Sequence, residues 1–339
     1  MDGLYKDGIL MDIDVSGWSG AEGMDPEDMG LQKADISDAY RLGKKFLVPA
    51  EVIREFRSVE GRARRVVDDS SFSFPIGGAR FVPRRKFTKV VKLLKKYQAD
   101  YMGLVEKLIT NYDSYKTDMD SVYKQAAEVA YGRQPARQEF GPEFDPENDK
   151  KEFVDRFMAR IHSQYPTVES LRTKFSITWD CYEIAMPKMR KANADLIISE
   201  EQKSLIATEE YQAQIQKKIG SFISDVVTTL RHETLMICSR IVNNIQEGKV
   251  IKSKTLNSLQ DFIDKFSELN FVGDQKVEAQ LESLRKEFLS AHTSEQITEQ
   301  SDLQDELKRR LNLLADVASD MTDINSVTGE YKRKIEWHE

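Results

Sequence analysis

FTKVVKLLKKYQADYMGLVEKLITNYDSYKTDMDSVYKQAAEV, residues Phe87–Val129, decides the fold. Apolar residues recur at every seventh position: Phe87, Leu94, Tyr101, Leu108, Tyr115, Val122 and Val129. That period is a helix burying one narrow stripe against another helix. No proline falls between Arg84 and Gln134, and Gly103 is the only glycine before Gly132. A helix of this length spans roughly 65 Å at 1.5 Å per residue. The second apolar position drifts, lying three residues after the first early on (Val90, Tyr97, Leu104) and four after it later (Val105, Tyr112, Met119, Ala126). A straight α-helix drifts this way against a strict heptad. The pattern therefore predicts broad packing in a bundle, not a tightly supercoiled pair.

Outward from this helix the chain reads as follows. In Gly8–Val15, Ile9, Met11, Ile13 and Val15 alternate with Leu10, Asp12 and Asp14, which predicts a half-buried edge strand. Asp25 caps a helix entry with Pro26 at its first position. Pro49–Val67 is a predicted helix with Val52, Phe56, Val59 and Ala63 on one face. Ser70–Ile76 and Ala79–Val82 read as strands joined at Gly77-Gly78, a pair tolerant of positive φ. Beyond the long helix, residues 132–150 read as a loop, and Lys151–Ser163 and Val168–Met186 as helices. Ser199–Glu247 is a second very long helix and the expected partner of the first. Helices near 254–270 and after Asp274 form a hairpin, residues 292–302 are expected to be loose, and a last helix carries Leu303, Leu307, Leu311 and Leu314. The expected fold is mainly α: an elongated antiparallel long-helix bundle or coiled coil with a small α/β N-terminal head. Its expected parts are the head over 1–83, the bundle over 84–250, a C-terminal hairpin and final helix over 251–320, and a weakly structured tail over 321–339.

The 32% charged and 40% hydrophobic content fits such a helical composition. Two cysteines, Cys181 and Cys238, argue against a disulfide framework and read as small buried hydrophobes. No secretory signal and no transmembrane run is read, so the expected location is cytoplasmic, with a virion as the alternative. Net charge is −7, yet residues 41–100 hold 16 Lys/Arg against 6 Asp/Glu. A local basic excess in an acidic protein can attract nucleic acid, an acidic partner or an anionic surface.

Catalytic patterns are few. Asp12-Ile-Asp14-Val-Ser16 imitates a phosphatase pair or a von Willebrand A metal motif, but no alternating β/α chain follows to complete either. Polar positions on a wet strand face are the simpler reading. Gly77-Gly78 and Glu247-Gly248-Lys249 lack the Lys-Ser/Thr of a phosphate loop. His162, His232, His292 and His338 have no partner at metal spacing, and His232-Glu233 lacks a second histidine. No catalytic residue, cofactor or metal is expected, and an enzyme is the least favoured reading. The candidate anion- or partner-binding residues are Arg62, Arg64, Arg65, Arg80, Arg84, Arg85, Lys86, Lys89, Lys92 and Lys96. The bland alternative is a solvated helix face paired with the acidic first 40 residues. Aromatics nearby are limited to Phe72, Phe74, Phe81 and Phe87, whose alternation fits a core, so reading of bases is not suggested.

Two stretches resemble the domain-of-unknown-function family 3150 of bacteria and phages. The first is Gly8–Gly20 with Asp25–Leu31. The second is Lys254–Asn257 with Phe262–Phe266 and Leu269–Asp274. Gly77-Gly78 and Val82-Pro83 before the long helix fit the same order. Members of that family are often encoded on phages or mobile elements beside a MoxR-type AAA+ ATPase and a von Willebrand A-domain protein. The resemblance implies an adaptor, component or client of such a machine and assigns no residues. The expected function is thus a non-enzymatic helical interaction protein that binds protein partners, with homo-oligomerisation open. A nucleic-acid-associated protein using the basic 54–96 region is the alternative. A phage structural protein or a helical pore-forming protein is a further one.

Overall fold

A computed structural model describes residues 4–31, 36–37, 39–75, 77–133, 145–183, 209–320, 322 and 324–336. The chain is mainly α and carries a small antiparallel β component. It divides into two compact units that are not consecutive along the chain, unlike the expected succession of parts. Unit 1 comprises Met1–Asp12, Val67–Val91 and Asp180–Glu339; unit 2 comprises Ile13–Val66 and Lys92–Trp179.

The N-terminal strand forms as β1, Gly8–Ser16, after a single turn α1, Leu4–Asp7. The hairpin forms as β4, Phe72–Ser73, and β5, Arg80–Pro83, with Phe72 opposite Phe81. Gly77 and Gly78 at its tip have φ of 73° and 70°, a conformation that side chains with a Cβ rarely adopt. Strand order in this sheet is β4-β5-β1-β6, where β6 is Ser176–Tyr182. β1 is therefore an inner strand, not the expected edge, and its Asp12 and Asp14 are exposed. The helix expected over Val168–Met186 also needs correction. It stops at Lys174 as α6, Val168–Lys174, and β6 follows. Ile177, Thr178, Trp179 and Tyr182 are β-branched or aromatic, and they fit a pleated strand better than a helix. The short apolar run matched either period.

Within unit 1, the second long helix forms as α7, Glu209–Gln246; the first part of its expected span lies outside the described residues. Its stripe Ile219, Phe222, Val226, Leu230, Ile237 and Ile241 is buried. The helices packed on it are C-terminal: α8 (Ser253–Leu269), α11 (Ser301–Ser319) and α12 (Ile324–Glu336). Leu307, Leu311 and Leu314 of α11 are buried, each contributing about 1.5–3 kcal/mol. Next to α8 comes α9, Gln275–Ser283, continued by a π-helical turn over Leu284–Leu289 with Ser290 N–H bonded back to the Arg285 carbonyl. Val277, Leu281, Leu284 and Phe288 stay buried through that turn. Phe81 sits 4.8 Å from Phe271 and 5.4 Å from Phe222, ring to ring, and these aromatics join hairpin, α7 and the α8–α9 connector.

Two segments expected to be loose are ordered helices. Residues 294–299 form α10, Ser294–Glu299, because Thr293 and Gln296 make a reciprocal capping box and Ile297 is buried. In the tail, α12 buries Tyr331, whose hydroxyl donates to Asp7 Oδ2 at 2.7 Å. Burial and the neighbouring Asp7 push that phenol well above its usual titration range. Tyr331→Phe removes one such hydrogen bond, and a urea titration should show a loss of about 1 kcal/mol.

Unit 2 holds α2, Ala50–Asp68, up to Val66, the small sheet of β2 (Ala21–Gly23) and β3 (Lys44–Phe46), and α4 and α5. The opening helix is divided. α3 is Arg84–Thr110 and α4 is Tyr112–Arg133, with the Asn111 side chain donating to the Lys107 carbonyl at 2.8 Å between them. Asn competes for backbone partners in this way and is a weak helix former. Arg84–Val91 of α3 belongs to unit 1 and Lys92–Thr110 to unit 2. The heptad row is buried at Leu94, Tyr101 and Leu108 and exposed at Val122 and Val129. On α4 the buried residues are Tyr112, Tyr123, Ala127 and Ala130, a row one position round from the exposed Val122 and Val129. The buried row packs against α5, Pro146–Ser163. This helix starts earlier than the expected Lys151, because Asp145 caps it by accepting from the amides of Glu147 and Asn148.

Candidate functional site

The ten candidate cations fall five in each unit. In unit 1 the five are tied down. Arg80 bonds Ser71 Oγ at 3.0 Å and pairs with Asp68 at 3.2 Å. Arg84 donates to the Lys6 carbonyl at 3.0 Å and Arg85 to the Ser267 carbonyl at 3.1 Å. Lys86 is buried and ion-paired with Glu268, and Lys89 lies 3.7 Å from the same carboxylate. Glu268 stands at the end of α8, so these charges anchor the start of α3 to that helix.

Unit 2 differs. α2 and α3 run antiparallel there: Lys107 pairs with Glu55 at 2.9 Å, and the Arg62 guanidinium covers the Tyr97 ring at 5.5 Å. Phe56 fills the layer beneath, 5.3 Å from Tyr101 and stacked at 4.7 Å on Phe175. Arg64 pairs with Glu60 at 3.1 Å and reaches the Val15 carbonyl. Among the described residues, Arg62 and Arg65 hydrogen-bond only backbone carbonyls of their own helix, those of Ser58 and Gly61. Lys92 and Lys96 are exposed and have no partner among the described residues. Arg57 and Lys95, which the sequence reading did not single out, share that state. They lie in the same basic stretch, so charge counting could have included them.

Among the described residues, the acids of the first 40 that form ion pairs take cations outside the candidate set. Glu27 and Asp28 bind Arg160, and Asp28 also takes Lys45 Nζ at 2.6 Å. Among the described residues, Glu60, Asp68 and Glu268 pair with candidate cations.

Among the described residues, no group of three or more His, Cys, Asp or Glu could hold a metal ion. His162 contacts Asp120 at 2.8 Å, and His232 is exposed. Cys238 is buried and its thiol is pushed up to about 12 by desolvation, which makes it inert. Cys181 is exposed, contrary to expectation, near the end of β6, where the burial of Ile177 no longer continues. No described helix is long and apolar enough to cross a membrane.

A family model described as "Protein of unknown function (DUF3150)" matches residues 6–316. The chain belongs to this family. No curated protein and no solved structure matches it. Both stretches that carried the resemblance lie inside the matched region. In the structure the family segment Gly8–Leu31 spans β1, β2 and the 3₁₀ turn Pro26–Met29, where the Asp28 carboxylate accepts from the Asp25 amide and the Asp28 amide donates to the Asp25 carbonyl. The family segment Lys254–Asp274 is α8 and its connector, where the Asn270 side chain accepts from the Asp274 and Gly273 amides at 2.9 and 3.2 Å. Both segments thus hold turns that fix how successive elements leave one another. Neither contributes a candidate cation.

Proposed function

We propose that the chain is a non-enzymatic helical interaction protein, an adaptor, component or client of a MoxR-type AAA+ ATPase and von Willebrand A-domain system of a phage or mobile element. The partner class comes from the family resemblance. The observation that carries the interaction role is on α4. Val122 and Val129 are 53% and 54% exposed, one heptad apart, on a helix that buries a different face in its own unit. Apolar side chains repeating at seven residues on an exposed face suit a partner helix packing as a coiled coil.

An affinity capture from the native host, with and without ATP, tests this reading. The full chain should retain an AAA+ ATPase or a von Willebrand A-domain protein, and Val122→Glu/Val129→Glu should lose it. Exposed substitutions of this kind change stability by only about 0.5 kcal/mol, so the loss would report the contact. Capture of neither protein in either nucleotide state overturns the partner assignment. Capture untouched by the double variant moves the contact off α4.

A further inference from the structure

We propose that the Arg62/Lys96 end of the α2–α3 pair binds the phosphate backbone of nucleic acid without reading its sequence. The inference is independent of the adaptor reading and uses a different surface. Residues 61–66 and 92–99 hold Arg62, Arg64, Arg65, Lys92, Lys95 and Lys96 and no Asp or Glu. The Arg62–Tyr97 contact brings these two stretches side by side on antiparallel helices of one unit. Of the six, only Arg64 pairs with a carboxylate among the described residues, that of Glu60. Asp100, one turn beyond Lys96, is the nearest acid on α3 and makes no ion pair among the described residues.

The helical rise sets the spacing. Lys92 and Lys96 stand about 6 Å apart along α3, and Arg62 and Arg65 about 4.5 Å apart along α2. Two rows of cations on adjacent helices can follow a line of phosphates. Arg62 is held by the aromatic ring and its own helix, so its charge is fixed in place and less side-chain entropy is lost on binding.

Surface composition decides between nucleic acid and an acidic protein. Protein interfaces are anchored by aromatic and apolar residues that become fully buried. Between Arg54 and Val66, and between Lys92 and Asp100, no large hydrophobic residue is exposed; Tyr97 is half-buried beneath Arg62. A patch of charge without an apolar centre suits phosphate contacts, which give affinity and no base specificity. The absence of exposed stacking residues also favours duplex over single strands.

Fluorescence anisotropy of the full chain with a mixed-sequence 20-base-pair DNA duplex tests the proposal. Binding should appear at 50 mM NaCl and weaken about 10²-fold by 200 mM, as expected for roughly four phosphate contacts. Lys92→Glu/Lys96→Glu should abolish it, and Lys92→Gln/Lys96→Gln should weaken it by at least tenfold. Lys286→Glu/Arg309→Glu alters net charge equally in unit 1 and should leave most binding intact. Circular dichroism confirms that the variants are folded. No binding at 50 mM overturns the proposal. So does equal loss in the unit 1 control, or displacement of the duplex by a poly-glutamate peptide at equal charge concentration. The last result would assign the patch to an acidic protein. None of these outcomes touches the capture experiment on α4.

Discussion

Arg231→Ala is expected to destabilise unit 1 by about 3–5 kcal/mol, the usual cost of removing one partner of a buried ion pair. Both side chains are sealed from water, Arg231 at 0% and Asp274 at 2% exposure. The guanidinium grips the carboxylate with two nitrogens, at 2.6 and 3.2 Å, and also donates to the Asp320 carbonyl. One side chain therefore joins the middle of α7, the α8–α9 connector and the end of α11. Asp274 also caps α9 by accepting from the Val277 amide. Alanine leaves that buried carboxylate without its cationic partner. Arg231→Met/Asp274→Asn should recover part of the loss, since no charge remains buried and asparagine can still cap. Hydrogen exchange of α7 and α9 amides in urea measures both. A change below 1 kcal/mol in Arg231→Ala would show that the pair is not desolvated in solution.

Arg231 also marks where the sequence stops speaking. Periodicity exposed the apolar row of α7, because each member repeats the same demand at three or four residues. A charge beside that row is visible, but its partner lies 43 residues away and leaves no local trace. The same holds elsewhere. The long helix was legible as a helix, and so was the drift of its stripe. The contact of the Asn111 side chain with the Lys107 carbonyl, where α3 gives way to α4, leaves no periodic signal. β6 was misread because residues 175–182 satisfy two periods at once, and pairing within the sheet decided between them. α10 was missed because its stability rests on a four-residue capping box, not on an apolar face.

The candidate site was legible as charge and not as geometry. Composition located the basic stretch between Arg54 and Lys96, yet it gave every cation the same weight. Lys86 is buried against Glu268, while Lys92, six residues on, meets no carboxylate among the described residues. Helical spacing alone could not separate them, since the acid that distinguishes them lies on α8, far along the chain. The exposed heptad positions on α4 show the reverse. Val122 and Val129 belonged to the pattern that identified the helix, and only the packing of Tyr123, Ala127 and Ala130 shows that they face outward.

Gly30→Ala is expected to cost unit 2 about 2–4 kcal/mol, for two separable reasons. The residue ends the 3₁₀ turn Pro26–Met29 with φ of 74°, where alanine is disfavoured by about 1 kcal/mol. A Cβ there would also stand 2.2 Å from the Ala130 carbonyl oxygen, a backbone atom that cannot swing aside. Either the turn or α4 must shift. The turn has little freedom, because Asp28 is held by Lys45 at 2.6 Å, by Arg160 at 2.7 Å and by the Asp25 amide at 2.8 Å. Gly77→Ala separates the two causes. Gly77 has nearly the same φ, 73°, and open space where its Cβ would lie. It should therefore cost only about 1 kcal/mol, the backbone share alone. Trp18, buried and 6.2 Å from Tyr112, and Trp179, both in the same unit, report the Gly30 variant by their fluorescence in urea, with Trp337→Phe as background. The Gly77 variant, in unit 1, is read by hydrogen exchange. Equal costs at the two glycines would mean that the turn does not press against α4 as closely as the structure places it.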